Sequence, residues 1–239
     1  MWIKNQIDKI MNNKYYRTYE IHQIKVRYSA IINNCYIIVD RKSKDALIID
    51  PAWELDEILK KLSELNVNLK SILLTHSHYD HVNLVMPLVK LFNSKVYMSS
   101  KEINYYKFQC TNLNPVDDLD VINLGETEFK CLLTPGHTTG GMCYFLKDSI
   151  FTGDTVFIEG CGMCDTEGGS AEEMFDSIQK LKATLLPEVK IYPGHSFNND
   201  SGQRMDYLLK ENIYFQIDEK ECFINFRMRK SQKNLYNFV

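Results

Sequence analysis

The run His76-Ser-His-Tyr-Asp-His81 constrains this chain more than any other feature, because it sets three imidazoles and a carboxylate within six positions. Just before it, Ser71-Ile-Leu-Leu-Thr75 reads as a short buried strand. Residues two apart in an extended segment point the same way, so His76 and His78 can approach one ion together. Asp80 and His81 fall where the chain must turn, ahead of the helical apolar spacing Val82, Val85, Met86, Val89, and there they can serve a second ion.

Three further candidates lie downstream: His137 in TPGHTTGG, Asp154 in FTGDT and His195 in YPGHS. Each follows a strand-like run and has a glycine beside it that permits a sharp turn. One histidine so placed would be an ordinary core or surface residue; the seven together point to metal. Two zinc ions contribute +4, Asp80 and Asp154 −2 and a shared hydroxide −1, with neutral imidazoles, the usual zinc partners, completing the set. Such a centre stays net positive, which suits an oxyanion. Asp154 is the sensible bridge, since a carboxylate has two oxygens to offer. Two zinc ions are therefore expected, with iron or manganese as alternatives.

Around these residues, strand-like apolar runs occur at Ile31–Val39, Ala46–Asp50, Ser71–Thr75, Lys95–Met98, Phe129–Leu133, Met142–Phe145, Ser149–Phe151 and Lys190–Tyr192. Leu55, Ile58, Leu59, Leu62 and Leu65 follow helical spacing, and Ser170 with Glu173 forms a capping box ahead of Met174, Ile178, Leu181 and Leu185. This order favours an α/β sandwich built as one domain over residues 1–239, with 199–239 a short helical and basic C-terminal extension. The stripe Trp2, Ile3, Ile7, Ile10 is expected to cover the sandwich, a partner-binding helix being the alternative.

A formal net charge of −3 gives no global pull toward nucleic acid or anionic membrane. No stretch approaches the roughly 20 apolar residues of a membrane span, and the first residues lack a secretory pattern. A cytoplasmic protein is expected, in keeping with seven scattered cysteines.

HSHYDH, PGHTTG, FTGDT and YPGH resemble the metal motifs of the metallo-β-lactamase superfamily, and FTGDTVFIEGCGMCDTEGGSAEEMFDSIQKLK followed by LPEVKIYPGHS is closer still to glyoxalase II. The resemblance covers roughly residues 30–200. It implies a four-layer αββα sandwich, His76, His78 and His137 on one metal, Asp80, His81 and His195 on the other, and Asp154 between them. The loop FIEGCGMC, the GGSAEEM after it and the tail FINFRMRKSQ resemble the PksB/BaeB type of glyoxalase II-like zinc hydrolases, encoded with trans-acyltransferase polyketide synthases. That implies hydrolysis of acyl thioesters on the phosphopantetheine arm of an acyl carrier protein.

The chemistry agrees. Metal coordination lowers the pKa of water from 15.7 to about 7, on the order of 12 kcal/mol. Asp80 is placed to orient the nucleophile. A thiolate, parent pKa about 8.5, departs unprotonated, whereas an amide nitrogen needs an acid that these motifs do not supply. Where glyoxalase II has a Lys and a Tyr that hold glutathione, this chain has Met163 and Asp165 in Gly160-Cys-Gly-Met-Cys-Asp165, and Phe197 replaces a further tyrosine. Hydroxyacyl-glutathione hydrolysis is therefore the second reading, followed by lactonase and sulfur dioxygenase.

Met163, Cys164 and Phe197 are candidate substrate contacts; for Met163, with Ile158 and Phe157, core packing is an equal alternative. Arg229 and Lys230 are candidates from a basic stretch that also holds Arg227 and Lys233; it can meet a phosphate or an acidic carrier, or be a solvated end. The CxxC of Cys161 and Cys164 reads as a structural loop before a redox pair. A nucleic-acid-processing enzyme would need a basic surface or an inserted domain, and the diiron electron-transfer branch would have glutamate in place of His78. A non-catalytic scaffold would be marked by a lost ligand, and none is missing.

Overall fold

The structure, a computed structural model, describes residues 17–230; the stripe Trp2–Ile10 and Lys233 lie outside the described residues. In chain order the elements are β1 (Tyr19–Tyr28), β2 (Ile31–Asp40), β3 (Asp45–Ile49), α1 (Leu55–Leu65), β4 (Asn68–Leu73), α2 (Tyr79–Val82), α3 (Val85–Phe92), β5 (Lys95–Ser99), α4 (Ser100–Tyr106) and β6 (Leu113–Val116). They continue as β7 (Val121–Leu124), β8 (Thr127–Leu133), β9 (Met142–Phe145), β10 (Ser149–Gly153), α5 (Ala171–Thr184), β11 (Lys190–Pro193), β12 (Gln203–Arg204), α6 (Met205–Glu211), α7 (Ile213–Gln216) and α8 (Lys220–Arg227).

The strands form two six-stranded sheets, β1-β2-β3-β4-β5-β6 and β12-β11-β10-β9-β8-β7. In the first, β3 to β6 run parallel, which needs helical crossovers, and α1, α3 and α4 supply them. The second is antiparallel apart from the parallel pair β10 and β11, between which α5 crosses.

Side-chain alternation along the strands builds the layers. Tyr36, Ile38, Leu47, Ile49 and Leu73 of the first sheet meet Phe129, Cys131, Met142, Tyr144 and Phe151 of the second, forming the central core. The opposite face, through Ile37, Ile48 and Ile72, packs on Ile58 and Leu62 of α1 and Leu88 of α3. On the far side Leu132, Cys143, Ile150 and Ile191 pack on Met174, Ile178 and Leu181 of α5, with Leu208, Phe215 and Phe223 from α6 to α8 completing that layer. The result is helix, sheet, sheet, helix, as the resemblance implies.

Local signals account for the helix ends. Ser170 Oγ accepts the Glu173 amide at the start of α5, and α1 stops where Asn66 turns left-handed at φ 52°. The apolar spacing from Val82 to Val89 is broken into α2 and α3 by a turn at Asn83 and Leu84. Strand β4 ends at Leu73, two residues earlier than its apolar run, so Leu74 and Thr75 already belong to the loop that carries the histidines. Among the described residues no helix is long and apolar enough to cross a membrane.

Candidate metal centre

Strand ends of both sheets deliver the seven candidate side chains to one edge of the sandwich. His76 and His78 follow β4, and Asp80 and His81 lie on the short α2. His137 comes from the loop between β8 and β9, Asp154 directly follows β10, and His195 follows β11. The sheets are pinned together here: the Met142 amide donates to the Thr75 carbonyl, and Tyr144 Oη–H to that of Leu74.

Three groups of candidate ligands emerge among the described residues, one of them, Asp50 with His76 and His81, lying behind the other two. Facing atoms of His76, His78 and His137 lie within 4.8 Å of one another, as do those of Asp80, His81 and His195. His78 Nδ1 and His137 Nε2 face each other at 3.0 Å. His81 Nε2 and His195 Nε2 stand 3.5 and 3.4 Å from Asp80 Oδ2. Asp154 belongs to both neighbourhoods, with Oδ1 3.5 Å from His81 Nε2 and Oδ2 3.4 Å from His195 Nε2 and 3.7 Å from His137 Nε2.

Four of the rings are oriented through their other nitrogen. His137 Nδ1–H donates to the Met163 carbonyl and His195 Nδ1–H to that of Ile32, each at 2.7 Å. His81 Nδ1 meets Asp50 Oδ2 at 3.0 Å, and His76 Nδ1 meets Thr75 Oγ1, whose proton goes to the same carboxylate. A second partner of this kind fixes the tautomer and aims Nε2 inward. Asp50 also accepts the Thr75 amide, so one buried carboxylate braces both sets.

These orientations leave atoms stranded. His76 Nε2, His81 Nε2 and Asp154 Oδ1 are buried and make no hydrogen bond, the last two facing each other at 3.5 Å; a buried atom left unpartnered, as His76 Nε2 is, costs about 1–3 kcal/mol that a metal ion would relieve. Imidazole nitrogens with carboxylate oxygens are also the donor types that zinc takes. The residues fit the metal.

Electrostatics divide the two sets. Burial, reinforced by the surrounding imidazoles, holds His76 well below the usual imidazole range, and burial lowers His78 and His137 as well. These rings are neutral at pH 7, the state in which an imidazole binds a metal. Burial is the largest single influence on His81 and His195 and lowers both, but Asp154 together with Asp50 for the first, and with Asp80 for the second, outweighs it, so both are raised. Burial pushes Asp80 and Asp154 up, yet His195 and His81 hold both below the usual carboxylate range.

A model of the metallo-beta-lactamase superfamily matches residues 29–195. The chain belongs to the metallo-β-lactamase superfamily. It is 58% identical over 221 residues to PksB of Bacillus subtilis strain 168, named a probable polyketide biosynthesis zinc-dependent hydrolase, which covers 92% of this chain and 98% of that protein. The cytoplasmic isozyme of hydroxyacylglutathione hydrolase from Saccharomyces cerevisiae is 32% identical over 217 residues, 85% of this chain and 76% of that one. The crystal structure of ETHE1 from Myxococcus xanthus aligns with a TM-score of 0.79 at 28% identity, covering 88% of this chain and 90% of that one.

In this metallo-β-lactamase member the candidate substrate contacts lie in different settings. Phe197, 40% exposed, stands edge-on to Phe157, whose ring is 6.0 Å from that of His195. Met163 is half-buried and gives its carbonyl to His137. Cys164 is buried and its thiol faces the Gly162 carbonyl. The basic stretch is not one surface: Arg227 is buried and donates from Nε to the Gly162 carbonyl, Arg229 lies over the Phe226 ring, and Lys230 is exposed. Burial pushes the Cys161 thiol well above its ordinary value and that of Cys164 up to about 11, which fits the structural loop.

Sequence reasoning missed Asn33 and Trp53. Asn33 Nδ2 donates to the carbonyl and Oδ2 of Asp80, both at 3.0 Å, while Asn33 Oδ1 accepts from Trp53 Nε1. Trp53 stacks on Tyr28 and meets Tyr79 edge-on, making an aromatic ledge two hydrogen bonds from Asp80. Nothing around position 33 signals this; for the ledge, the aromatic inside HSHYDH was a visible cue. Asp50 could have been found as a carboxylate closing a strand-like run before proline.

Proposed function

We propose that this chain is a zinc-dependent hydrolase that holds two zinc ions and cleaves acyl thioesters, the acyl group being carried on the phosphopantetheine arm of an acyl carrier protein. The observation that carries the reading is the inward-facing set of imidazoles and ionised carboxylates with stranded buried atoms. Its likeness to PksB supports the biosynthetic setting.

In this reading His76, His78 and His137 would hold one ion and Asp80, His81 and His195 the other, with Asp154 available to both sets. Zinc supplies Lewis acidity there, acidifying water and polarising a carbonyl. Asp80, kept ionised by His195 and His81, accepts a hydrogen bond from the attacking water and so aims it; Asn33 fixes the carboxylate for that task. The Nδ1 atoms of His76, His81, His137 and His195 are engaged elsewhere, so these rings have no free N–H with which to protonate a leaving group. A thiolate needs none, which favours a thioester over an amide.

The likeness to hydroxyacylglutathione hydrolase supports acyl-glutathione as the second substrate class. Met163 and Phe197 stand where the resemblance led us to expect a lysine or tyrosine for glutathione, which favours the carrier protein. Mass spectrometry of acylated carrier protein and of acyl-glutathione, each incubated with zinc-loaded enzyme, separates the two. Loss of acyl mass from the carrier is expected, and loss from neither overturns the thioester reading.

A further inference from the structure

Glu102 lies in α4, outside every motif that marks the metal centre, and is completely buried. Its Oε1 accepts both the amide and the hydroxyl of Ser77 at 2.8 Å. Its Oε2 accepts the Gly140 amide at 2.9 Å. Ser77 sits between His76 and His78, and Gly140 lies in the turn that begins at His137. One carboxylate thus joins the two loops that carry all three imidazoles of the first ligand set.

The contact is close on the loop side as well. A Cβ at Gly140 would come within 2.1 Å of the Glu102 amide nitrogen, so the turn approaches α4 to a distance that excludes any side chain. Three donors converge on one side chain, a demand met by a group that only accepts. An amide in its place would set an N–H against one of them. Burying a carboxylate is costly unless it is hydrogen-bonded, and in Glu102 both oxygens are engaged with the ligand loops.

We propose that Glu102 is a positioning residue for the His76, His78 and His137 set. By fixing the separation of the two loops it sets the affinity for the ion held there, without touching that ion. The inference rests on the metal-binding reading above and makes an asymmetric demand: disturbing Glu102 weakens one ion and spares the other, because Asp80 is held by Asn33, His195 by the Ile32 carbonyl and His81 by Asp50.

The test is Glu102→Gln, which keeps the shape and spoils one acceptor. Cobalt is titrated into metal-free wild-type, Glu102→Gln and His137→Ala protein, followed by visible absorption, and zinc content is measured after dialysis against a weak chelator. Glu102→Gln is expected to bind cobalt at the first set about 10- to 100-fold more weakly, the usual effect of losing such a support. Its spectrum should approach that of His137→Ala, with zinc falling from two ions per chain toward one. A residue that merely stabilised the fold would weaken both ions together, and that result overturns the proposal, as does unchanged affinity for both.

Should Glu102→Gln fail to fold, Ser77→Ala decides. It removes one of the three donors and is expected to weaken the first ion several-fold while sparing the second; wild-type affinity for both overturns the proposal. Wild-type protein that takes up no cobalt or zinc would overturn the metal-binding reading itself, a result distinct from these.

Discussion

Gly194 offers a direct test of how tightly the metal centre is built. Its φ lies outside the left-handed region, so its backbone suits alanine, and only space opposes a side chain. An added Cβ would stand 2.4 Å from Asp154 Oδ1 and 2.7 Å from His81 Cε1, where ordinary contact begins at 3.4 Å. The difference requires a displacement of about 1 Å, against a tolerance of about 0.2 Å in metal–ligand distances. The neighbours have little room, because Gly194 is held by its amide on Gly153 and by its carbonyl on the Asn34 amide. A misplacement of that size costs about 10²-fold in rate, or about 2.7 kcal/mol at 1.36 kcal/mol per tenfold. Thioester hydrolysis followed by thiol release should therefore drop about 100-fold in Gly194→Ala, with zinc content reduced. Gly160→Ala is the control, since its Cβ would meet the Tyr214 ring at a relaxed 3.8 Å, and it should match wild type. Wild-type turnover and full zinc in Gly194→Ala would refute the steric argument and the bridging place of Asp154 together.

Other outcomes follow from the same geometry. Asp154→Asn should lose metal and activity together, and full occupancy with normal turnover would exclude the bridging role. Burial lowers His195, but Asp154 and Asp80 raise it further than that, so the metal-free protein keeps this ring protonated at pH 7. The resulting stabilisation of the metal-free fold is complete below the unfolded pKa of about 6.5 and vanishes as pH rises through the higher folded value. Zinc must displace that proton, so calorimetry at pH 7 should show heats that vary with buffer ionisation enthalpy; buffer-independent heats would contradict it. Brief iodoacetamide treatment at neutral pH should label exposed Cys222 ahead of buried Cys161 and Cys164, and early adducts on the CxxC pair would revive a redox role. Phe223→Ala should cost about 3–5 kcal/mol in urea unfolding, because the ring is fully buried between Phe175 and Tyr214; a loss below about 1 kcal/mol would detach α8 from the core.

The strands legible in the sequence and those that were not divide by position in the sheets. All eight strands with a neighbour on each side, β2 to β5 and β8 to β11, coincide with apolar runs. The four that escaped, β1, β6, β7 and β12, are the edges of the two sheets. Strand β1 is ten residues long yet fully buries only Tyr19 and Val26, and β6 carries Pro115, which an edge tolerates and a central strand does not. A strand flanked on both sides and covered on both faces is mostly apolar, with buried polar residues such as Asn33 and Asn34 of β2 only where they find partners, so it writes itself into composition; an edge strand is free to be polar, and polar edges discourage pairing between molecules.

The same distinction governs the metal centre. Its candidate ligands were visible because metal chemistry restricts such residues to a few side-chain types, and because the ends of central strands, which can be recognised, bring them together. Their supports were not, since the Ile32 and Met163 carbonyls are backbone atoms that any residue could provide, and Asn33 and Glu102 reach the centre only through the fold. The supports aim the side chains: the Nδ1 contacts of His76, His81, His137 and His195 turn Nε2 of each ring inward, and Asn33 holds the Asp80 carboxylate. The identity of the candidate ligands is thus a local property of this sequence, while their geometry belongs to the whole sandwich. Substitutions at the supports should accordingly lower metal affinity and leave the ligand motifs intact, which is why metal stoichiometry tests this structure more sharply than activity alone.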